Sequence, residues 1–173
     1  MRALAVTLTL SLLAATVCAN ATAGTAEENL KQKNITLPPP STPVANYVPA
    51  VRVGNLLFVS GTGPSRSTPR GKVGADLTLE QGYQAARSSG LNILATIRAT
   101  MGSLDRVKRV VKVLGMVNSA PGFTDQPKVI NGFSDLMVEV FGEANGKHAR
   151  AAVGMAELPS NIPVEIEVIL EVE

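Results

Sequence analysis

Apolar side chains recur along this chain with two periods, and the switches between them mark out the elements. Behind Thr78, the positions Leu79, Tyr83, Ala86, Gly90, Ile93, Ile97 and Thr100 follow at three- and four-residue spacing. That spacing predicts a helix from about Thr78 to Thr100 with one buried stripe. Thr78 with Gln81 three residues on is a capping-box pattern, and Gly102 supplies the stop. A second stripe runs through Val129, Ile130, Phe133, Leu136, Met137, Val140 and Phe141. It predicts another helix, capped by Asp125, with Pro127 in its first turn and Gly142 closing it.

Period two takes over elsewhere. Tyr47-Val48-Pro49-Ala50 leads into a hairpin of Val51 and Val53, a Gly54-Asn55 turn, and Leu56 to Ser60. Arg106 to Val117 is β-branched and reads as a strand. The stretch from His148 to Glu173 reads as two strands joined by a corner at Leu158 to Pro163. In the first, Arg150, Ala152, Gly154 and Ala156 share one face, with Ala151, Val153 and Met155 on the other. In the second, Val164, Ile166, Val168, Leu170 and Val172 oppose Glu165, Glu167, Ile169 and Glu171. Both strands are expected in an antiparallel sheet with one side on the core. The order is β-β-α-β-α-β-β: an α+β fold with a small mixed or antiparallel sheet and two helices on one face. The opposite face is expected to bear Ile169 together with the small Ala152, Gly154 and Ala156. Such a face is one an oligomer covers.

The front end departs from both periods. Arg2, a short apolar run and the small-residue exits Ala19-Asn20-Ala21 and Ala21-Thr22-Ala23 have the layout of a secretory signal peptide. Residues 1–23 are therefore read as a leader, which implies a secreted or periplasmic protein with no membrane attachment after processing. An organelle presequence, mitochondrial or other, and a retained anchor are the alternatives. Residues 24–46 form a Pro-rich arm: Glu27 to Gln32 predicts a short helix, and Leu37 to Pro43 an extended connector. Asn34-Ile35-Thr36 is a glycosylation sequon. Residues 47–173 make one domain.

Composition narrows the function classes. The 16 basic and 14 acidic residues leave a net charge of +2 with no run of either sign, too even for a dedicated nucleic-acid surface. Aromatics at 3% supply few stacking platforms. A single cysteine, Cys18, and a single histidine, His148, exclude an internal disulfide and a multi-His metal site, so no metal or cofactor is expected. His148 reads as a surface residue or one supporting a site from behind. Gly61-Thr62-Gly63-Pro64 is no phosphate loop, because no GKS or GKT ending opens a helix after it. The basic residues Arg66, Arg70 and Lys72, in a surface loop over 65–75, read as a solvated rim.

Tyr47-Val48, Val59-Ser60-Gly61, Val129-Ile130-Asn131-Gly132-Phe133, His148-Ala149-Arg150-Ala151-Ala152-Val153, Leu158-Pro159 and Val164-Glu165-Ile166-Glu167 are spread over more than 100 residues of this chain. In that spacing the chain, from Ile35 onward, resembles the Rid family of reactive intermediate deaminases, also called YjgF-like proteins. The resemblance implies a chorismate-mutase-like fold, a homotrimer, and clefts between subunits lined by Tyr47, Gly61, Asn131, Arg150, Ala152 and Glu165. It further implies hydrolysis of 2-imino or enamine acids to 2-oxo acids and ammonia. Arg150 would hold the substrate carboxylate through its planar fork and Glu165 would position water, with Tyr47 lining the catalytic cleft. Gly61, Asn131 and Ala152 would contribute to substrate binding. The sequence departs from the family where many members carry a cysteine in place of Ala152, and where a longer side chain than Thr62 ends the second strand. A non-catalytic trimeric module for small carboxylates is the alternative. A ribonuclease or translation inhibitor is the third reading, and the even charge counts against it.

Overall fold

The computed structural model describes residues 24–43 and 45–173. The leader expectation, Cys18 and both small-residue exits lie outside the described residues. A short helix α1 (Ala26–Gln32) leads to a hairpin of β1 (Ala50–Val53) and β2 (Leu56–Thr62). Then follow α2 (Leu79–Met101), β3 (Val107–Asn118), α3 (Gln126–Gly146), β4 (Ala149–Met155) and β5 (Val164–Val172). No helix among the described residues is long and apolar enough to cross a membrane.

The helices form where their caps and stripes place them. Thr78 accepts from the Gln81 amide, and the Gln81 side chain accepts from the Thr78 amide, satisfying two of the orphan donors at the start of α2. Gly102, in the left-handed region, ends it. Asp125 precedes α3, but its side chain makes no capping bond. Gly142 interrupts α3 at φ 75° and ψ 168° without ending it, and a last turn runs on to Gly146. The Val140 carbonyl accepts 2.8 Å from the Asn29 amide, and so α1 satisfies an acceptor of α3 just ahead of the break. Ala26 and Leu30 of α1 are buried in the same core as the sheet residues, and Ile35 and Leu37 pack against it.

Five strands make one mixed sheet in the order β1-β2-β5-β3-β4. The two last strands are not partners. β5 inserts between β2 and β3, antiparallel to both, whereas β4 lies parallel to β3 at the sheet edge. The reason lies in connectivity: α3 carries the chain from the end of β3 back over the sheet, and a strand reached by a helical crossover re-enters parallel to the one it left. β5 then fills the gap left by the α2 crossover between β2 and β3.

Register fixes the faces. Val164, Ile166, Val168, Leu170 and Val172 are buried on the side that α2 covers, and α3 lies over β3 and β4 on the same side. The opposite face carries Ile169 with Phe58, Val51 and Leu114 around a shallow cavity of about 300 Å³. Ala152 is not on this face. It stands opposite Gly115, which stands opposite the buried Ile166, and it packs against the core beneath the helices. The β4 residues that share the bare face are Ala149, Ala151 and Val153, in line with Lys112, Leu114 and Met116. The bare face is still apolar: Val51 is 50%, Phe58 40% and Val153 40% exposed.

Candidate functional site

Arg150 is held on the helix-covered side of the edge strand. It is paired in register with Val113, and Val113 with Val168, both buried. From there its Nη1 donates to Asn131 Oδ1 at 2.9 Å and to Ser134 Oγ at 3.0 Å, both on α3. Asn131 and Ser134 are three apart, one turn on the same helix face. Nη1 carries two hydrogens and has two acceptors, which leaves Nε–H and the two Nη2–H groups without a protein partner in these contacts. None of the ion pairs among the described residues includes Arg150, and neither Glu165 nor Glu167 bonds to it.

Ser134 Oγ is also 3.1 Å from His148 Nε2, and His148 Nδ1 is 2.7 Å from the Gly146 carbonyl. A carbonyl only accepts, so Nδ1 carries the proton and Nε2 accepts from the Ser134 hydroxyl. Phe133 packs edge-on against the imidazole, ring centres 6.0 Å apart. Burial holds the His148 pKa below the ordinary histidine value; the Gly146 bond opposes that shift and the Arg150 charge adds to it. Ser134 carries no motif of its own in the sequence. Its signal was the three-residue spacing from Asn131.

Glu165 stands elsewhere. It pairs in register with Met116, an odd number of residues from Val113, and so occupies the face opposite Arg150. Burial raises its pKa above the ordinary carboxyl value, with Glu167 adding to the shift. Gly61, at the bulge in β2, lies against it: a Cβ on Gly61 would fall 2.1 Å from Glu165 Oε1. Gly61 also lines a cavity of about 390 Å³ with Tyr47, Thr62, Ser65, Arg66 and Asn92. One chain thus presents two groups: Arg150, Asn131 and Ala152 with the helices, and Tyr47, Gly61 and Glu165 around the end of β2. The two catalytic candidates, Arg150 and Glu165, point to opposite sides of the sheet.

The expected basic rim is different in kind. Lys72 donates to the fully buried Asn118 Oδ1 at 3.1 Å and to the Ala156 carbonyl at 2.5 Å, and pairs with Glu157 at 3.2 Å. Asn118 Nδ2 in turn donates 2.8 Å to Asn161 Oδ1, and Arg70 donates to the Ser160 carbonyl. Both basic residues brace the Pro159–Asn161 turn, where Ser160 and Asn161 have φ of 56° and 54°. No group of three or more His, Cys, Asp or Glu suited to a metal ion occurs among the described residues.

A family model described as "YjgF/chorismate_mutase-like, putative endoribonuclease" matches residues 27–171. Protein TCP17 of Trypanosoma cruzi is 45% identical over 151 residues, which cover 86% of this chain and 94% of that protein. The 2-iminobutanoate/2-iminopropanoate deaminase of Dermatophagoides farinae is 31% identical over 139 residues, 80% of this chain and 95% of that one. The crystal structure of Atu1372 from Agrobacterium tumefaciens, a protein of unknown function, superposes with a TM-score of 0.76 at 45% identity. That match covers 85% of this chain and 91% of that one.

Proposed function

The chain belongs to the Rid (YjgF-like) family, and from that membership we propose that it hydrolyses small 2-imino or enamine acids to 2-oxo acids and ammonia. The observation that carries the reading is the state of Arg150: a guanidinium fixed through Nη1 alone, with its Nε and Nη2 edge turned to no protein acid. Such an edge matches a carboxylate with two parallel bonds. The mite relative is named for the same reaction class.

The separation of the two groups is consistent with a cleft between subunits. The bare sheet face supplies an apolar surface for a homotrimer to cover, and one subunit's Tyr47, Gly61 and Glu165 would then meet the next subunit's Arg150. The protonated imine carbon is already electrophilic. Arg150 fixes the carboxylate, and Glu165 takes a proton from the water whose oxygen bonds to that carbon. The C=N π pair moves onto the nitrogen, which receives that proton. The C–N bond then breaks with its pair leaving on ammonia, while Glu165 takes the remaining hydroxyl proton and passes it to the departing ammonia, and the carbonyl of the 2-oxo acid remains. A carboxyl whose pKa lies above its usual value is suited to such a transfer. Ala152 offers backbone groups beside Arg150 and no thiol.

The test is ammonia release from imines generated by an L-amino-acid oxidase, with and without the protein. Acceleration over the spontaneous rate supports the reading. Binding of 2-oxo acids without acceleration leaves the non-catalytic module. Salt-sensitive RNA cleavage by the same preparation would move the protein to the activity in the family description.

A further inference from the structure

We propose that Ser134 and His148 are positioning residues that set the carboxylate-binding edge of Arg150, through a one-way chain of hydrogen bonds ending on the Gly146 carbonyl. This rests on the reading of Arg150 as the carboxylate holder and adds the device that aims it.

The direction of the chain follows from donor counting. Arg150 can only donate, so Ser134 Oγ accepts from Nη1, and the serine's own hydrogen must go elsewhere. The acceptor within reach is His148 Nε2 at 3.1 Å, free to accept because Nδ1–H is committed to Gly146 at 2.7 Å. Arg150, Ser134, neutral His148 and Gly146 are therefore each in a single role, and the order cannot be reversed. Asn131 fixes the second hydrogen of Nη1. With both Nη1 hydrogens held on α3, rotation of the guanidinium is stopped and the Nε–Nη2 edge is left presented.

Protonating His148 breaks the order. Nε2 would become a donor aimed at Ser134 Oγ, the serine hydrogen would lose its acceptor, and a second cation would face Arg150 across one oxygen. The charged groups around the imidazole do not offset this. Arg150 lies on the strand that His148 leads into. Lys147 precedes it, and Arg109 of β3 and Glu171 of β5 line the same cleft, while Glu143 is paired with Lys147. Three cations stand against two acids. The break in α3 contributes as well. The turn beyond Gly142 ends at Gly146, and that places the terminal carbonyl where the His148 ring can reach it.

The experiment is calorimetric binding of 2-oxobutyrate between about pH 5 and 8, with imine hydrolysis measured in parallel. Parent protein, Ser134→Ala, Ser134→Thr and His148→Gln are compared, each checked for fold by circular dichroism. Ser134→Ala is expected to weaken binding about tenfold and to raise KM with little change in kcat, whereas Ser134→Thr restores it to within about twofold. Parent binding is expected to weaken as pH falls below the ordinary histidine range. His148→Gln, which can still accept from Ser134 and does not titrate there, is expected to remove that decline. Protonation of Glu165 would change anion binding in the opposite direction, so the two are separable by sign. Unchanged binding in Ser134→Ala overturns the proposal, as does an acid decline that persists in His148→Gln. Wild-type hydrolysis in both variants rejects the relay and keeps the deaminase reading. Relay-dependent binding without imine hydrolysis keeps the relay and rejects the deaminase.

Discussion

Replacing Arg150 is the most informative single change. Its five N–H donors divide into the two on Nη1, engaged with Asn131 and Ser134, and the three that remain. Two of the three can meet a carboxylate side by side. Each charge-assisted bond contributes about 1.5–3 kcal/mol net, so the pair is worth at least about 3 kcal/mol, a factor of about 150 in Kd. Arg150→Ala should weaken 2-oxobutyrate binding by that factor and reduce kcat/KM for the imine at least as much. Lysine keeps the charge and loses the planar fork, so Arg150→Lys should fall between, about tenfold below the parent. Stability should hardly follow. Asn131 is exposed and Ser134 half-buried, so both can turn to water, and a cost under about 1 kcal/mol is expected. The measurement is titration calorimetry beside urea unfolding on the same preparations. Binding by Arg150→Ala within about twofold of the parent would refute the assignment and return Arg150 to a strand-edge residue tied to its own helix.

Glu165→Gln should retain 2-oxo acid binding and lose turnover, read by calorimetry against ammonia release. The same change has a stability sign: a carboxyl with a raised folded-state pKa binds more protons folded than unfolded, and stability falls as pH rises above the unfolded value. Glu165→Gln should therefore unfold at a higher temperature than the parent at pH 7, and a lower one would contradict the burial argument. Lys72→Ala leaves the Oδ1 of Asn118 buried without a donor, and should cost about 1–3 kcal/mol in urea unfolding. An unchanged midpoint would show that Lys72 is only a solvated rim. Light scattering should give about three times the monomer mass; a monomer across micromolar concentrations would remove the inter-subunit cleft.

What the sequence disclosed and what it withheld separate along physical lines. The spacing of Leu79 to Thr100 and the alternation of Val164 to Val172 report which side of an element is buried, and α2 and β5 lie where those patterns put them. Alternation says nothing about which strand is the neighbour. For that reason the strand that became β4 reads as part of an antiparallel sheet although it runs parallel to β3 at the edge, and Ala152 reads as sharing a face with Ile169 although it faces the helices. Lys72 reads as a solvated rim for a related reason: its partners Asn118 and Ala156 are 46 and 84 residues away, and a loop lysine carries no local sign of them. Gly142 marked a real break in α3, but not the end, because the chain resumes a helical turn once past it.

The short helix α1 sets a limit on trimming at the front of the protein. Thr25 caps it, accepting from the Glu28 amide while Glu28 accepts from the Thr25 amide. Two residues on, Glu27 takes two bonds from Arg98 of α2 and one from the Leu104 amide. Asn29 then reaches the Val140 carbonyl of α3. Cleavage after Ala21 or Ala23 leaves every one of these groups in place. A peptidase cutting four residues beyond Ala23 would take the cap and the Arg98 clasp together. The margin between a cleavage that spares α1 and one that strips its cap and its clasp on α2 is therefore a handful of residues.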